Sequence, residues 1–226
     1  MKKIISVLLT VTVLLGSFLS FNVFAVEPTK TETLFAKIES SQEVAVTLKA
    51  GDVDLFGFSR TGATDTIYIK GNKIAYEYDL KFISVRAIYD SKDIYGIIPS
   101  FPFFYVKIDG EMIGEPDIWE LLAQVSDVTL DVLNFKGSYT ETIDGTEYYV
   151  EEFDDRAQVA SKFYYIGDEL KILDVKDAQN GSTNVTYFES ISFTVDDSVF
   201  EIPAFAFDAT PILKMLFASL LGDIVA

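Results

Sequence analysis

The sequence predicts a mainly β (α+β) protein built on a meander of antiparallel strands, and three observations carry that prediction. Turn dipeptides such as Asp144-Gly145 and Gly167-Asp168 recur between apolar or alternating runs, where they supply the positive φ of tight hairpins. Apolar residues alternate within those runs, as in EVAVTLK over 43–49. Aromatic residues make up 14% of the chain, with 19 Phe and 12 Tyr, and this composition favours strands.

The alternating runs indicate about 11–12 strands, with boundaries accurate to a few residues. No repeat of fixed period occurs, which argues against a propeller or a solenoid. The expected strands lie near 42–50, 53–60, 65–70, 73–80, 82–90, 93–98, 103–108, 135–143, 146–153, 160–166, 169–176 and 183–195.

Three other segments have helical periodicity. TKTETLFAKIESS, residues 29–41, begins with threonines that can cap a helix and spaces its apolar residues along one face. EPDIWELLAQVSDV, residues 115–128, has Pro116 at the first helical position and an acidic first turn. The C-terminal segment 210–225 has Thr210 as its cap and a wide apolar stripe, and it is too short to span a membrane.

The first 25 residues have the features of a secretory signal peptide. Two lysines precede an apolar run over 4–19, and small residues stand at Val23 and Ala25. Cleavage near Ala25 is favoured over the alternative, an uncleaved membrane anchor, although the apolar run is nearly long enough to cross a bilayer. We therefore expect a secreted or extracytoplasmic chain, with no stable transmembrane anchor after cleavage and a single domain over 26–226.

Composition narrows the set of partners. Loss of the two lysines with the signal peptide would change the formal net charge from −17 to −19, so neither nucleic acid nor an anionic membrane surface is an expected partner. The chain contains no cysteine, which excludes a lipid-modified cysteine and any disulfide.

The residue types needed for common catalytic machinery are also missing. Without histidine or cysteine there is no Ser-His-Asp or Cys-His nucleophile and no histidine or thiolate metal site, so we expect no enzyme, no metal and no cofactor. Paired carboxylates in YYVEEFDD, residues 148–155, are the remaining candidates. Glu151 and Glu152 would point to opposite faces of a strand and could not flank one glycosidic bond, so a solvated strand edge is the favoured interpretation.

Three late stretches resemble a known family. GSYTETIDGTEYYVEEF (137–153), KFYYIGDELKILDVKD (162–177) and ISFTVDDSVFEIP (191–203) are similar to the late strands and final Asp-x-x-Phe-x-x-Pro-like stop of the LolA-like superfamily. That superfamily includes periplasmic lipoprotein carriers and the mycobacterial LppX and LprG lipid-binding lipoproteins. The resemblance implies a bacterial envelope protein folded as a curved, unclosed antiparallel half-barrel, whose concave face is covered by the three helices.

Two functions follow from that fold. The first is a non-enzymatic protein that binds an acyl chain, a lipid or another apolar small molecule in a hydrophobic cleft between sheet and helices. Arg86, in the otherwise apolar strand FISVRAIYD, is a candidate for a ligand headgroup, and a structural pair with a carboxylate is the alternative. The candidate lining residues, for which ordinary core packing is the alternative, are Phe56, Phe58, Tyr76, Tyr78, Trp119, Leu122, Leu213 and Phe217.

The second function is a secreted envelope interaction protein. In this alternative the same fold has a filled core, docks another envelope protein through its outer surface or its C-terminal stripe, and binds no small ligand. An empty cavity on the concave face would distinguish the first function from the second.

Overall fold

The computed structural model describes residues 28–50, 59–90, 93–109, 134–154, 159–177 and 183–212. The expected signal peptide, residues 53–58 of the expected strand over 53–60, and the expected helix around Trp119 lie outside these ranges. So do six candidate lining residues, which are Phe56, Phe58, Trp119, Leu122, Leu213 and Phe217.

The described residues are mainly β, as the sequence predicts. They include one α-helix, α1 (Lys30–Ser41), and one 3-10 helix (Asp197–Phe200). The strands are β1 (Glu43–Lys49), β2 (Thr64–Lys70), β3 (Lys73–Asp79), β4 (Ser84–Asp90), β5 (Asp93–Ile97), β6 (Phe104–Asp109), β7 (Asn134–Ile143), β8 (Thr146–Asp154), β9 (Val159–Ile166), β10 (Glu169–Asp177), β11 (Thr183–Ser192) and β12 (Phe207–Asp208).

The contacts of the chain group into two compact units. Among the described residues, unit 1 comprises 28–49 and the strands between 134 and 194, whereas unit 2 comprises 50–109 and 195–212. In both units the strand order is open, so neither unit closes into a barrel. The expectation of a single domain over 26–226 stays a prediction.

Unit 1 is an antiparallel sheet with helix α1 packed on it. Its strand order is β1-β11-β10-β9-β8-β7. Thr29 caps α1 in a capping box with Glu32, which satisfies two backbone N–H groups that the first helical turn would leave without partners. Phe35 is 3% exposed and meets the Phe163 ring edge to face at 6.1 Å, so the apolar face of α1 is buried as the sequence predicts.

Unit 2 has the strand order β12-β6-β5-β4-β3-β2 and is antiparallel except at one edge, where β12 pairs in parallel with β6. Ala75, Ile88 and Ile97 form a buried cluster, and Phe200 packs against it from the 3-10 helix. The Asp196 carboxylate accepts a hydrogen bond of 2.8 Å from the Ser198 backbone N–H and turns the chain there. The DDSVF stretch, residues 196–200, therefore turns the chain so that Phe200 covers the buried cluster on one face of the unit 2 sheet.

The observed elements differ from the expected ones most clearly after residue 192. Strand β11 ends at Ser192, three residues before its expected end, because the chain turns toward the 3-10 helix. The two-residue strand β12 was not expected from the sequence, since FD alone has no periodicity to detect. Residues 210–212 are helical, at the expected start of the C-terminal helix, and the rest of that expected helix lies outside the described residues.

Candidate functional site

Two of the predicted lining residues, Tyr76 and Tyr78, lie on one apolar face of unit 2. Strand alternation puts them on the same side of β3, and their partners on β4 are Ala87 and Val85. We call this side of β3–β6 the tyrosine face. Its half-buried apolar residues are Ile74, Tyr76, Tyr78, Val85, Ala87, Tyr89, Ile94, Phe104 and Val106.

A buried ion pair lies at one end of the tyrosine face. Arg60 and Asp65 are 4% and 5% exposed, and the Arg60 Nη2 donates a hydrogen bond to Asp65 Oδ1. The Arg60 Nε donates to the backbone carbonyl of Asp79 at 2.8 Å, and its guanidinium carbon lies 3.6 Å from the centre of the Tyr78 ring. Asp65 Oδ1 also accepts from the Asp79 backbone N–H at 3.2 Å.

Tyr76 belongs to the same polar cluster. Burial, and secondarily the negative charge of Asp65, raise the pKa of the Tyr76 hydroxyl well above its usual range. A tyrosine hydroxyl is neutral at physiological pH, and a side-chain hydrogen bond joins this one to Asp65. This cluster was not predicted from the sequence. Its signal is an arginine before a turn and an aspartate five residues later, on the apolar face of β2.

Arg86 lies on the opposite side of the same sheet. It pairs with Glu77, which stands between Tyr76 and Tyr78 on β3 and so points away from them. Its Nε and Nη2 donate to Glu77 Oε2 at 2.9 and 2.6 Å, and the two side chains are 15% and 23% exposed. The structure therefore does not bring Arg86 together with the predicted tyrosines, and it places the guanidinium in the structural ion pair that was the alternative.

A shallow cleft of about 360 Å³ lies on the Arg86 side of unit 2. Hydroxyl and carboxylate side chains dominate its lining, so its chemistry does not match the apolar cleft expected for an acyl chain. The residues that line it are Thr64, Thr66, Glu77, Asp79, Lys81, Phe82, Ile83, Ser84 and Ser100.

The interpretation of Glu151 as part of a solvated strand edge is wrong. Strand β8 lies between β7 and β9, and Glu151 is only 1% exposed. Its carboxylate accepts hydrogen bonds from the backbone N–H groups of Lys30 and Thr31, both at 2.8 Å, and from the Thr31 hydroxyl at 2.6 Å. Glu151 thus satisfies the N-terminal donors of α1, where the helix dipole also favours a negative charge.

The expected opposite orientation of Glu151 and Glu152 is confirmed, because Glu152 is half-buried on the other face of β8. Thr31 Oγ1 lies 2.9 Å from the hydroxyl of Tyr165, whose pKa is raised mainly by burial. Both oxygens of Glu151 have donors already, so this carboxylate is occupied as a structural acceptor. Across the described ranges, no group of three or more acidic side chains is placed to hold a metal ion.

Comparisons with known proteins do not identify a family. No protein-family model and no curated protein matches the chain. The crystal structure of an uncharacterized conserved protein from Thermus thermophilus aligns with 79% of this chain and 98% of that chain, at 8% identity and a TM-score of 0.37. A score this low does not establish a shared fold. In the part of the chain that is described, no helix has the length and apolarity to cross a bilayer.

Proposed function

We propose that this chain is a secreted, non-enzymatic binding protein that holds an acyl chain, a lipid or another apolar small molecule against the tyrosine face. The observation that carries the proposal is the tyrosine face itself, which presents half-buried apolar side chains across four neighbouring strands. Apolar ligands bind where a concave surface offers many hydrophobic contacts and a few placed polar groups. The hydroxyl of Tyr76, beside the Arg60–Asp65 pair, is such a polar group.

The proposal includes the fold that the LolA-like resemblance implies. In that fold the sheet is a curved half-barrel, and helices around Trp119 and over 210–225 cover its concave face. Leu122, Leu213 and Phe217 would then line the cleft from the helical side, and Phe56 and Phe58 from the sheet. Arg86 does not contact the ligand in this proposal, because strand alternation puts it on the face opposite the tyrosine face.

Arg60 does not replace Arg86 as a site for an acidic headgroup. Its charge is balanced by Asp65 within a buried pair, and removing either partner from such a pair is costly. The end of the tyrosine face that carries the ion pair is therefore close to neutral in charge. It suits a ligand with an uncharged hydroxyl, ester or amide group next to its acyl chain. This preference follows from the ion pair and is part of the proposal.

Ligand binding can be tested by expressing the full chain with its signal peptide and analysing the secreted protein by native mass spectrometry. We expect an N-terminus at or near Val26 and a co-purified apolar molecule. Ala87→Trp, which places a large side chain in the middle of the tyrosine face, should lower the affinity for a fluorescent fatty-acid probe by about tenfold or more. Thr140→Trp, on an exposed position of β7, is the matched control and should bind as the parent does.

Three outcomes would contradict this proposal. Intact Met1 in a membrane pellet would replace secretion with an uncleaved anchor. A protein that carries no apolar molecule and does not bind the probe would favour the alternative function, a secreted protein with a filled core that docks an envelope protein. Turnover of ester, peptide or glycoside substrates would show an enzyme.

A further inference from the structure

Five phenylalanines from two separate segments form a continuous surface cluster in unit 2, which we call the phenylalanine surface. It consists of Phe101, Phe103, Phe104, Phe205 and Phe207. The ring centres of Phe101 and Phe103 are 4.9 Å apart, those of Phe103 and Phe205 are 6.0 Å apart, and those of Phe104 and Phe207 are 6.1 Å apart. Ring contacts of this kind connect the loop before β6 with the segment that contains β12.

Backbone hydrogen bonds hold the two segments together. The Phe207 N–H donates to the Phe103 carbonyl at 3.1 Å, and the Ala209 N–H donates to the Tyr105 carbonyl at 2.8 Å. Within the second segment, the Ala206 N–H donates to the Pro203 carbonyl at 2.9 Å. The rings are thus presented on ordered backbone, which lowers the entropy lost when a partner binds them.

Four of these rings face solvent. Phe101 and Phe103 are each 53% exposed, Phe205 is 67% exposed and Phe207 is 54% exposed. Single exposed apolar residues are ordinary on protein surfaces, but a contiguous cluster of large ones indicates an interaction site.

The charge pattern identifies the kind of partner. Residues 97–106 and 202–207 contain no charged side chain. Glu201 and Asp208 border the second segment, and Lys107, which follows the first, is ion-paired with Asp93. An anionic lipid surface would be repelled by these acids and by the strongly negative chain. A zwitterionic bilayer fits better, because its outermost ammonium groups complement the acidic border and the π faces of the rings, while its hydrocarbon accepts the rings.

We propose that the phenylalanine surface docks the protein on a zwitterionic lipid bilayer. The exposed rings enter the boundary between headgroups and acyl chains, and the acidic border faces the ammonium groups. This contact goes beyond the proposed ligand binding, since it needs no molecule against the tyrosine face. It would bring the protein to a source of acyl-chain ligands. Phe104 belongs to both surfaces, whereas Phe103 and Phe205 belong to the phenylalanine surface alone, so changing these two separates the activities.

The test is flotation of the purified secreted protein with vesicles of phosphatidylcholine and phosphatidylethanolamine. We expect the parent to float with the vesicles. The double variant Phe103→Ser/Phe205→Ser should bind them at least about tenfold more weakly than the parent does. Phe82→Ser is the matched control: Phe82 is 85% exposed, more than any ring of the phenylalanine surface, and lies outside the ring contacts. Its vesicle binding should change by less than about twofold. Circular dichroism and thermal melting check that all variants fold, and the fatty-acid probe checks ligand binding separately.

Several results would overturn the docking proposal. One is a parent protein that does not float with vesicles at all, and another is a control variant that loses binding as strongly as the double variant does. Tighter binding to anionic than to zwitterionic vesicles would contradict the charge argument. A concentration-dependent dimer that the double variant abolishes, without vesicle binding, would make a second copy the occupant. Binding that requires removal of residues 213–226 would make that segment the occupant.

Discussion

Replacing Glu151 with glutamine should destabilise unit 1, although the change is isosteric. The carboxylate is 1% exposed and receives three hydrogen bonds from the first turn of α1. In the variant one oxygen becomes an NH₂ group. The Thr31 hydroxyl can rotate to accept from that group, and Lys30 N–H keeps an oxygen acceptor, but the Thr31 backbone N–H loses its partner.

The magnitude follows from these contacts. A buried N–H without an acceptor costs about 1–3 kcal/mol, and the remaining bonds weaken from charged to neutral strength by about 1 kcal/mol. The favourable position of a negative charge at the helix N-terminus is lost as well. We expect the free energy of unfolding to fall by about 3 kcal/mol, which corresponds to a melting temperature about 6–12 °C lower for a chain of this size.

The assay is urea unfolding followed by circular dichroism, with Glu152→Gln as the control. Glu152 is the next residue on β8, faces the other way and is half-buried, so its variant should differ from the parent by no more than about 0.5 kcal/mol. Thr31→Val should also destabilise, and the double variant should lose less than the two single losses together, because both side chains belong to one network. The reasoning fails if Glu151→Gln unfolds within about 0.5 kcal/mol of the parent.

Three further predictions concern other parts of the molecule. Arg60→Leu leaves Asp65 buried without its cation and should lower the free energy of unfolding in urea by about 3–5 kcal/mol. Arg86→Leu should lower it less, because its partner Glu77 is partly solvated. Equal losses would contradict the difference in burial between the two ion pairs. Burial raises the pKa of Tyr164 to about 12. An unfolded tyrosine ionises at pH ~10, so the stability contributed by the buried neutral hydroxyl is present below that pH and is lost as the pH rises toward the folded pKa. Tyr164→Phe should therefore lose less stability than the parent in thermal melts at alkaline pH. Equal losses in the variant and the parent would contradict the raised pKa. Gly145→Ala places a side chain at φ +79° in the β7–β8 turn and should lower the free energy of unfolding by about 1–2 kcal/mol. Gly96→Ala should leave it nearly unchanged, because the new Cβ would meet the Val106 carbonyl at an ordinary 3.9 Å. A larger loss for Gly96→Ala than for Gly145→Ala would refute the turn assignment.

Several strands and the first helix were predictable because their signals are local. Alternation in EVAVTLK matches β1, whose buried residues are Val44, Val46 and Leu48. Thr29 and Glu32 mark the start of α1 by their spacing alone, since a capping box is formed by neighbours in the chain. Asp144 and Gly145, both at positive φ, form the turn between β7 and β8.

The candidate site was less predictable, because it depends on which face each strand presents. The sequence correctly places Tyr76 and Tyr78 on one face of β3, since that is a property of a single strand. It could not place Arg86 relative to them, because the register between β3 and β4 decides that Arg86 stands opposite Glu77.

By itself, therefore, the sequence determined the mainly β class, the position of α1 and the lack of histidine and cysteine chemistry. Only the tertiary structure decided that Glu151 is buried under the N-terminus of a helix more than a hundred residues earlier, and that the phenylalanines before β6 meet those around β12. The physical reason is that periodicity and capping act between near neighbours in the chain, whereas burial, ion pairing and ring contacts depend on strand order, which brings distant segments together.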